Sequence, residues 1–318
     1  MAVDTRPEKD TRLLERFVAW LPTAVDRRIR VFAWLSFLAE VLIIATGGAV
    51  RLTGSGLGCP TWPTCTADSI VNTPAMGIHG FIEFGNRTLT GLVGILALGV
   101  VVLLWRLRRE RRDLFVLGSI VLGGVVAQAL VGGVTVLTGL NPFIVGFHYV
   151  ASLSLVCVCA AFLVRMNAPA GPRVAAAPRW YAITTHFTTL VLAVTIVFGV
   201  LTTGAGPHSG DADAGRNGFD AEILEHIHAW PGYVLLVLTV LLAAVAWIRR
   251  LPVRRWITAL LLVEIVQILV GLYQARNGLP EFAVGVHMVL AALTAAAMTA
   301  VVLGLKKPAP APASSATA

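Results

Sequence analysis

Charged residues are scarce in this chain. Asp, Glu, Lys and Arg together make up 13% of its 318 residues, where soluble domains carry roughly 25%. That excludes an ordinary soluble globule. Hydrophobic residues make up 57% and gather into runs long enough for a bilayer, which takes about 20 residues per helix. Eight spans are predicted, over residues 31–51, 76–106, 114–138, 143–166, 180–204, 221–248, 256–276 and 282–305.

Basic residues are nearly absent from one side of that pattern. Of 25 Lys and Arg, 21 fall before span 1, after span 8 or in the connections that follow even-numbered spans. Only Arg51, Arg87, Arg216 and Arg276 fall on the other side. The bias predicts a multi-pass membrane protein with both termini cytoplasmic. The basic run at residues 106–112 sits in one short loop with no aromatic residues interleaved. It reads as a topology anchor, with lipid and not nucleic acid as the surroundings. Residues 1–30 carry both charge signs and lack an apolar core, so neither a signal nor a transit peptide is expected there. The Pro/Ala-rich segment 306–318 is expected to be disordered.

Cysteine is sparse as well, with four in all. Cys59 and Cys65 share the loop after span 1, GLGCPTWPTC, on the side where disulfides persist. Pro60 and Pro63 bend the chain between them. A disulfide is expected, with a pair of free thiols as the alternative. Cys157 and Cys159, two apart in span 4, point to different helix faces and read as packing residues.

What the chain does have is a repeat. Residues 128–148, QALVGGVTVLTGLNPFIVGFH, match residues 267–287, QILVGLYQARNGLPEFAVGVH, at 10 of 21 positions with a fixed offset of 139. His148 and His287 are therefore counterparts. Glu83-Phe84-Gly85-Asn86 likewise matches Glu225-His226-Ile227-His228, and Thr53-Gly54-Ser55-Gly56 matches Thr203-Gly204-Ala205-Gly206. Four spans per copy return the second copy to the same orientation. The predicted fold is an all-α integral membrane protein, with eight transmembrane helices forming two four-helix bundles related by a pseudo-two-fold axis. Its segments are a cytoplasmic amino-terminal stretch (1–30), the first bundle (31–166), a cytoplasmic linker (167–179), the second bundle (180–305) and the tail (306–318).

Ionisable groups inside spans are costly and are candidates for function. Spans 2, 4, 6 and 8 carry His79, Glu83, His148, His228 and His287 in their first turns. His228 and His287 lie at similar depth in the second bundle, and two imidazoles facing across four helices suit a six-coordinate heme. Satisfied structural histidines are the alternative. No Cys-x-x-Cys-His occurs, so such a heme is held non-covalently. In the first bundle His148 has no such partner, because Asn86 stands where the copy has His228. His79, Glu83 and Asn86 are spaced i, i+4, i+7 and share one helix face. That face suits chemistry on a bound macrocycle; the alternative is that Glu83 merely pairs with Arg87. His208 reads as a loop residue and His186 as structural, while Glu40 and Glu264 have no acidic counterparts and no assigned role.

Together these residues resemble the heme A synthases of cytochrome oxidase biogenesis. The resemblance covers residues 31–305. It rests on Gly-Gly-Ala-Val-Arg-Leu-Thr-Gly-Ser-Gly-Leu-Gly-Cys leading into the cysteine loop, Glu83 and Arg87 on span 2, and histidines on spans 4, 6 and 8. It implies oxidation of a methyl group of heme O to a formyl group by successive hydroxylations. It also implies a heme b cofactor on His228 and His287, His148 facing the substrate iron, and Glu83 as the key catalytic acid. His79, Asn86 and Arg87 complete the expected substrate-heme set. Heme O synthase and cytochrome oxidase assembly factors are the implied partners. Many members carry a histidine at the position of Asn86, so here either His148 alone binds the substrate iron or His79 substitutes. Two other readings stay open: a b-type electron-transfer cytochrome, and a transporter built from parallel repeats.

Overall fold

The computed structural model describes residues 15–310; residues 1–14 and 311–318, in the expected amino-terminal segment and tail, lie outside it. Eight helices are long and apolar enough to cross a membrane, and the protein is a multi-pass membrane protein. They are α1 (Arg27–Leu52), α2 (Gly77–Leu103), α3 (Arg112–Leu137), α4 (Pro142–Met166), α5 (Arg179–Ala205), α6 (Ala221–Ile248), α7 (Arg254–Arg276) and α8 (Glu281–Gly304). Their lengths follow from the apolar runs, and their ends from local chemistry. The Asp26 carboxylate accepts from Ile29 N at 3.1 Å and starts α1. Asn141, followed by Pro142 at the first helical position, starts α4. α3 and α7 stop at matching Gly-Leu pairs, Gly139-Leu140 and Gly278-Leu279, all four with positive φ.

Each set of four closes a ring in chain order: α1–α2–α3–α4 and α5–α6–α7–α8. The rings meet where α4 packs on α8, with α1 also against α8 and α4 against α5. Small residues line this seam, including Ala160, Ala292, Ala295 and Ala296, which lets the helices approach closely. Outward faces carry exposed apolar side chains such as Leu38, Phe81, Ile95 and Phe147, as a lipid-facing surface requires.

The dry cores fill the end of each ring away from the cysteine loop. Ile29, Leu103, Leu104, Leu114 and Phe162 pack there in the first ring, and Tyr181, Leu242, Ile257 and Val301 in the second. A short antiparallel pair adds strand to the helical fold. β1 (Arg173–Ala175) pairs with β2 (Lys306–Pro308). The start of the tail expected to be disordered is therefore tied to the linker, by backbone bonds that extend to Ala309 N on Pro172 O at 3.0 Å.

Candidate functional site

The end that carries the cysteine loop is hollow. A cavity of about 780 Å³ is walled by all eight helices, in the upper part of the usual range for ligand pockets. α4 contributes His148, α6 His226 and His228, and α8 His287. Three of these imidazoles sit on glycines of the preceding helix. A Cβ at Gly132, Gly199 or Gly271 would come within 3.4, 2.8 or 3.0 Å of the Cε1 of His148, His228 or His287, respectively. Gly132 and Gly271 share the repeat offset, so the seat was duplicated with its histidine.

His228 and His287 face each other across the second ring, with ring centroids 6.1 Å apart and planes at 83°. Two imidazoles bound to opposite sides of one metal at about 2.0–2.1 Å per bond have centroids roughly 6 Å apart. The His228 Nδ1 lies 2.9 Å from Thr195 O. A carbonyl only accepts, so Nδ1 carries the proton and Nε2 is left free to ligate. His287 lacks such an orienting bond. Gln267 donates to its Nε2 at 3.3 Å, and its Nδ1 is buried without a partner. Displacing that amide, or turning the ring, presents a free nitrogen to His228. The pair fits a heme iron, and no group of three or more His, Cys, Asp or Glu suited to another metal occurs among the described residues.

The first ring is built differently. Its one wall histidine, His148, has a buried Nδ1 with no partner. Gln128, counterpart of Gln267, donates instead to His148 O at 2.8 Å and to Ser152 Oγ. Asn86 reaches the wall, where its Oδ1 accepts from Thr46 Oγ1 at 2.7 Å. Across the seam, Tyr149 donates its hydroxyl to Met288 O at 2.8 Å.

The face expected to unite His79, Glu83 and Asn86 divides. Only Asn86 is part of the cavity wall. His79 is exposed and bonds Ser55 Oγ at 2.9 Å. Glu83 is buried, with one carboxylate oxygen accepting from Cys59 N at 2.6 Å and the other paired with Arg87. Arg87 in turn donates to Cys59 O, Thr61 O and Thr64 O at 2.8, 2.9 and 3.2 Å. Both therefore hold the cysteine loop. That loop lays Trp62 on Gly133, where a Cβ would come within 2.4 Å of the indole, one residue from the seat of His148. The loop is closed by a Cys59–Cys65 disulfide. A non-reduced digest is expected to yield the two cysteines as one linked peptide. Replacing both by serine is expected to cost about 2 kcal/mol in the chain-entropy model, measured as a lower denaturant midpoint; an unchanged midpoint would refute that contribution.

Three wall residues escaped the reading by spacing and charge. Arg51, at the end of expected span 1, counted only as a basic residue on the sparsely charged side, yet it reaches the wall. Glu40 and Glu264 lacked acidic counterparts, yet both line the cavity and are 2% exposed. The signal for the first two was present: Glu40 and Arg51 lie three helical turns apart on one face. His208, by contrast, bonds Leu279 O at 2.9 Å and ties its loop to the turn before α8.

Residues 30–208, more than half of the chain, match a family model described as cytochrome oxidase assembly protein, COX15-CtaA. The chain belongs to this family. Among curated family relatives, heme A synthase of Lysinibacillus sphaericus (strain C3-41) is 35% identical over 144 residues, 44% of this chain and 45% of the relative. Heme A synthase of Alkalihalophilus pseudofirmus is 27% identical over 136 residues, 42% and 45% of the two chains. Heme A synthase of Bacillus cereus (strain AH187) is 33% identical over 128 residues, 39% and 40%. Each match spans less than half of the relative's length. The family match takes in the first ring, α5 and the cysteine loop, and ends before α6. His228 and His287 thus stand on their own geometry.

Proposed function

We propose that the protein is a heme A synthase, oxidising a methyl group of heme O to a formyl group to supply cytochrome oxidase. The observation that carries this reading is one cavity shared by two unequal rings. One ring is walled by His226 and the facing pair His228 and His287, and the other by a lone histidine, His148. His228 and His287 would hold heme b, which when bound supplies a one-electron acceptor. His148 would face the iron of the substrate heme, with Asn86 in place of a second histidine. A pure electron-transfer cytochrome gives no reason for that inequality. A repeat-built transporter would break its helices near the middle of the membrane, whereas each of α1–α8 runs as one unbroken helix.

Glu83 and Arg87 act in this reading as positioning residues. They hold the disulfide loop, and through Trp62 the loop shapes the wall beside His148. His79 supports the same loop through Ser55. The neighbour pattern of the helices is unchanged when α1–α4 are exchanged with α5–α8, which supports the pseudo-two-fold arrangement. The bias of basic residues supports a plasma-membrane orientation with the disulfide end facing away from the cytoplasm. Heme O synthase, as the source of substrate, and cytochrome oxidase assembly factors are the proposed partners.

The test is co-expression with a source of heme O in a host that makes no heme A, followed by pigment extraction and mass analysis. Heme A is the expected product. A purified protein that carries heme b while all extracted heme O stays unconverted would instead favour the electron-transfer reading.

A further inference from the structure

One face of α1 lines the cavity from mid-helix to the disulfide end, through Glu40, Ile43, Ile44, Gly47, Gly48 and Arg51 at helical spacing. Its two ends are polar and its middle is bare. Glu40 is 2% exposed, and its Oε1 has no hydrogen-bond partner. It shares the cavity floor with Val93, Val125 and Leu155 of the first ring. A Cβ at Gly47 would meet nothing within 4 Å, and one at Gly48 only the Met288 side chain, at 3.6 Å. Arg51, roughly 16 Å further along the helix, donates to Thr203 O at 3.0 Å and keeps a buried Nε without a partner.

This arrangement is not a product of the duplication. The acid of the second ring, Glu264, is on α7, where the first ring has Val125 at the repeat offset of 139. One Glu264 oxygen already accepts from Thr239 Oγ1 at 3.0 Å. Glu40 has no protein hydrogen-bond donor of that kind, and it is part of the cavity wall.

We propose that the α1 face selects the substrate, with Glu40 as its specificity-determining residue. Arg51 meets the anionic propionate edge of a porphyrin, the flat macrocycle lies along Gly47 and Gly48, and Glu40 hydrogen-bonds a hydroxyl on the far side. Heme O carries such a hydroxyl, on its hydroxyethylfarnesyl side chain, attached to a pyrrole diagonal to a propionate-bearing one. Heme b has no hydroxyl there and would leave Glu40 buried and unpaired, which disfavours it. A site built to hydrogen-bond a substrate hydroxyl rejects the analogue without it far more strongly than an apolar pocket does. This inference rests on heme O being the substrate.

The experiment measures binding of heme O and of heme b to the full-length protein whose second ring already holds heme b. The heme b spectrum of that ring reports correct folding of each variant. Wild type is expected to prefer heme O by about tenfold or more. E40L should erase that preference, E40Q should keep most of it, and R51Q should weaken both hemes alike. Heme O methylated on its hydroxyl, tested on wild type, asks the same question without relying on a variant; it should bind less tightly than heme O. An E40L protein that keeps the full preference, or undiminished binding of the methylated heme, overturns the role of Glu40 and leaves heme A synthesis standing. A wild-type protein that binds no heme O overturns both.

Discussion

His287→Ala is expected to purify without the low-spin heme b spectrum, and His228→Ala likewise. Each change removes one of the two imidazoles that face each other at 6.1 Å, and a six-coordinate low-spin iron needs both. His148→Ala should keep the spectrum, because that side chain belongs to the other ring. Reduced-minus-oxidised absorbance of the three purified variants decides the matter. An unchanged low-spin band in His287→Ala would falsify the assignment of the second ring. Loss of the band in His148→Ala alone would place the heme in the first ring.

Glu83→Gln is expected to retain heme b and to make little or no heme A. The carboxylate balances the Arg87 guanidinium beneath the disulfide loop, and the amide removes that balance. Breaking a buried pair from one side costs about 3–5 kcal/mol. Arg87 is partly exposed, at 19% of its side chain, so a smaller loss of stability, about 2–3 kcal/mol, is expected, read as a lower denaturant midpoint beside the lost heme A. Positioning and direct catalysis part company in the double variant. Removing both charges relieves the unpaired guanidinium, so Glu83→Gln with Arg87→Gln should recover part of the heme A yield if Glu83 acts through the loop. If the carboxylate itself reacts, the double variant should be no better than the single. Faster reduction of the Cys59–Cys65 bond in Glu83→Gln is the accompanying sign of a loosened loop. Near-normal heme A from the single variant would show the charge to be dispensable.

The helices and their order were legible because hydropathy is a long-range average over some 20 residues. The reading failed where apolar residues continue past a helix end. Span 2 was expected to run to residue 106, but α2 stops at Leu103 and the chain turns through Trp105–Leu107. Leu104 and Leu107 prolong the apolar run because they pack into the core at that end. The repeat made His148 and His287 visible, since an offset needs no knowledge of what surrounds a residue. The face of His79, Glu83 and Asn86 misled for the opposite reason. Periodicity places side chains on a bare cylinder and knows nothing of the loop that covers it. Gly58 packs on the first turn of α2, where a Cβ would come within 2.4 Å of His79 O, and the loop takes both His79 and Glu83. Arg51 and Glu40 were hidden differently: one was counted as a topology charge, the other had no partner in the repeat.

The hydrogen bond from Tyr149 to Met288 carries a consequence for ancestry. Position 288 is position 149 moved by 139, so the bond joins a residue to its own copy. In a pair of rotated copies, only positions beside the axis can touch their images. Two unfused, identical halves would bring two tyrosine hydroxyls and two carbonyls to that line, each side both giving and taking. Methionine at 288 has no hydroxyl to give, so here the bond runs one way only, from the Tyr149 hydroxyl to the Met288 carbonyl. The join therefore has a direction, which a pair of identical halves would not have. The residues next to this one-way latch are His148 and His287, so the asymmetry of the join sits beside the two counterpart histidines.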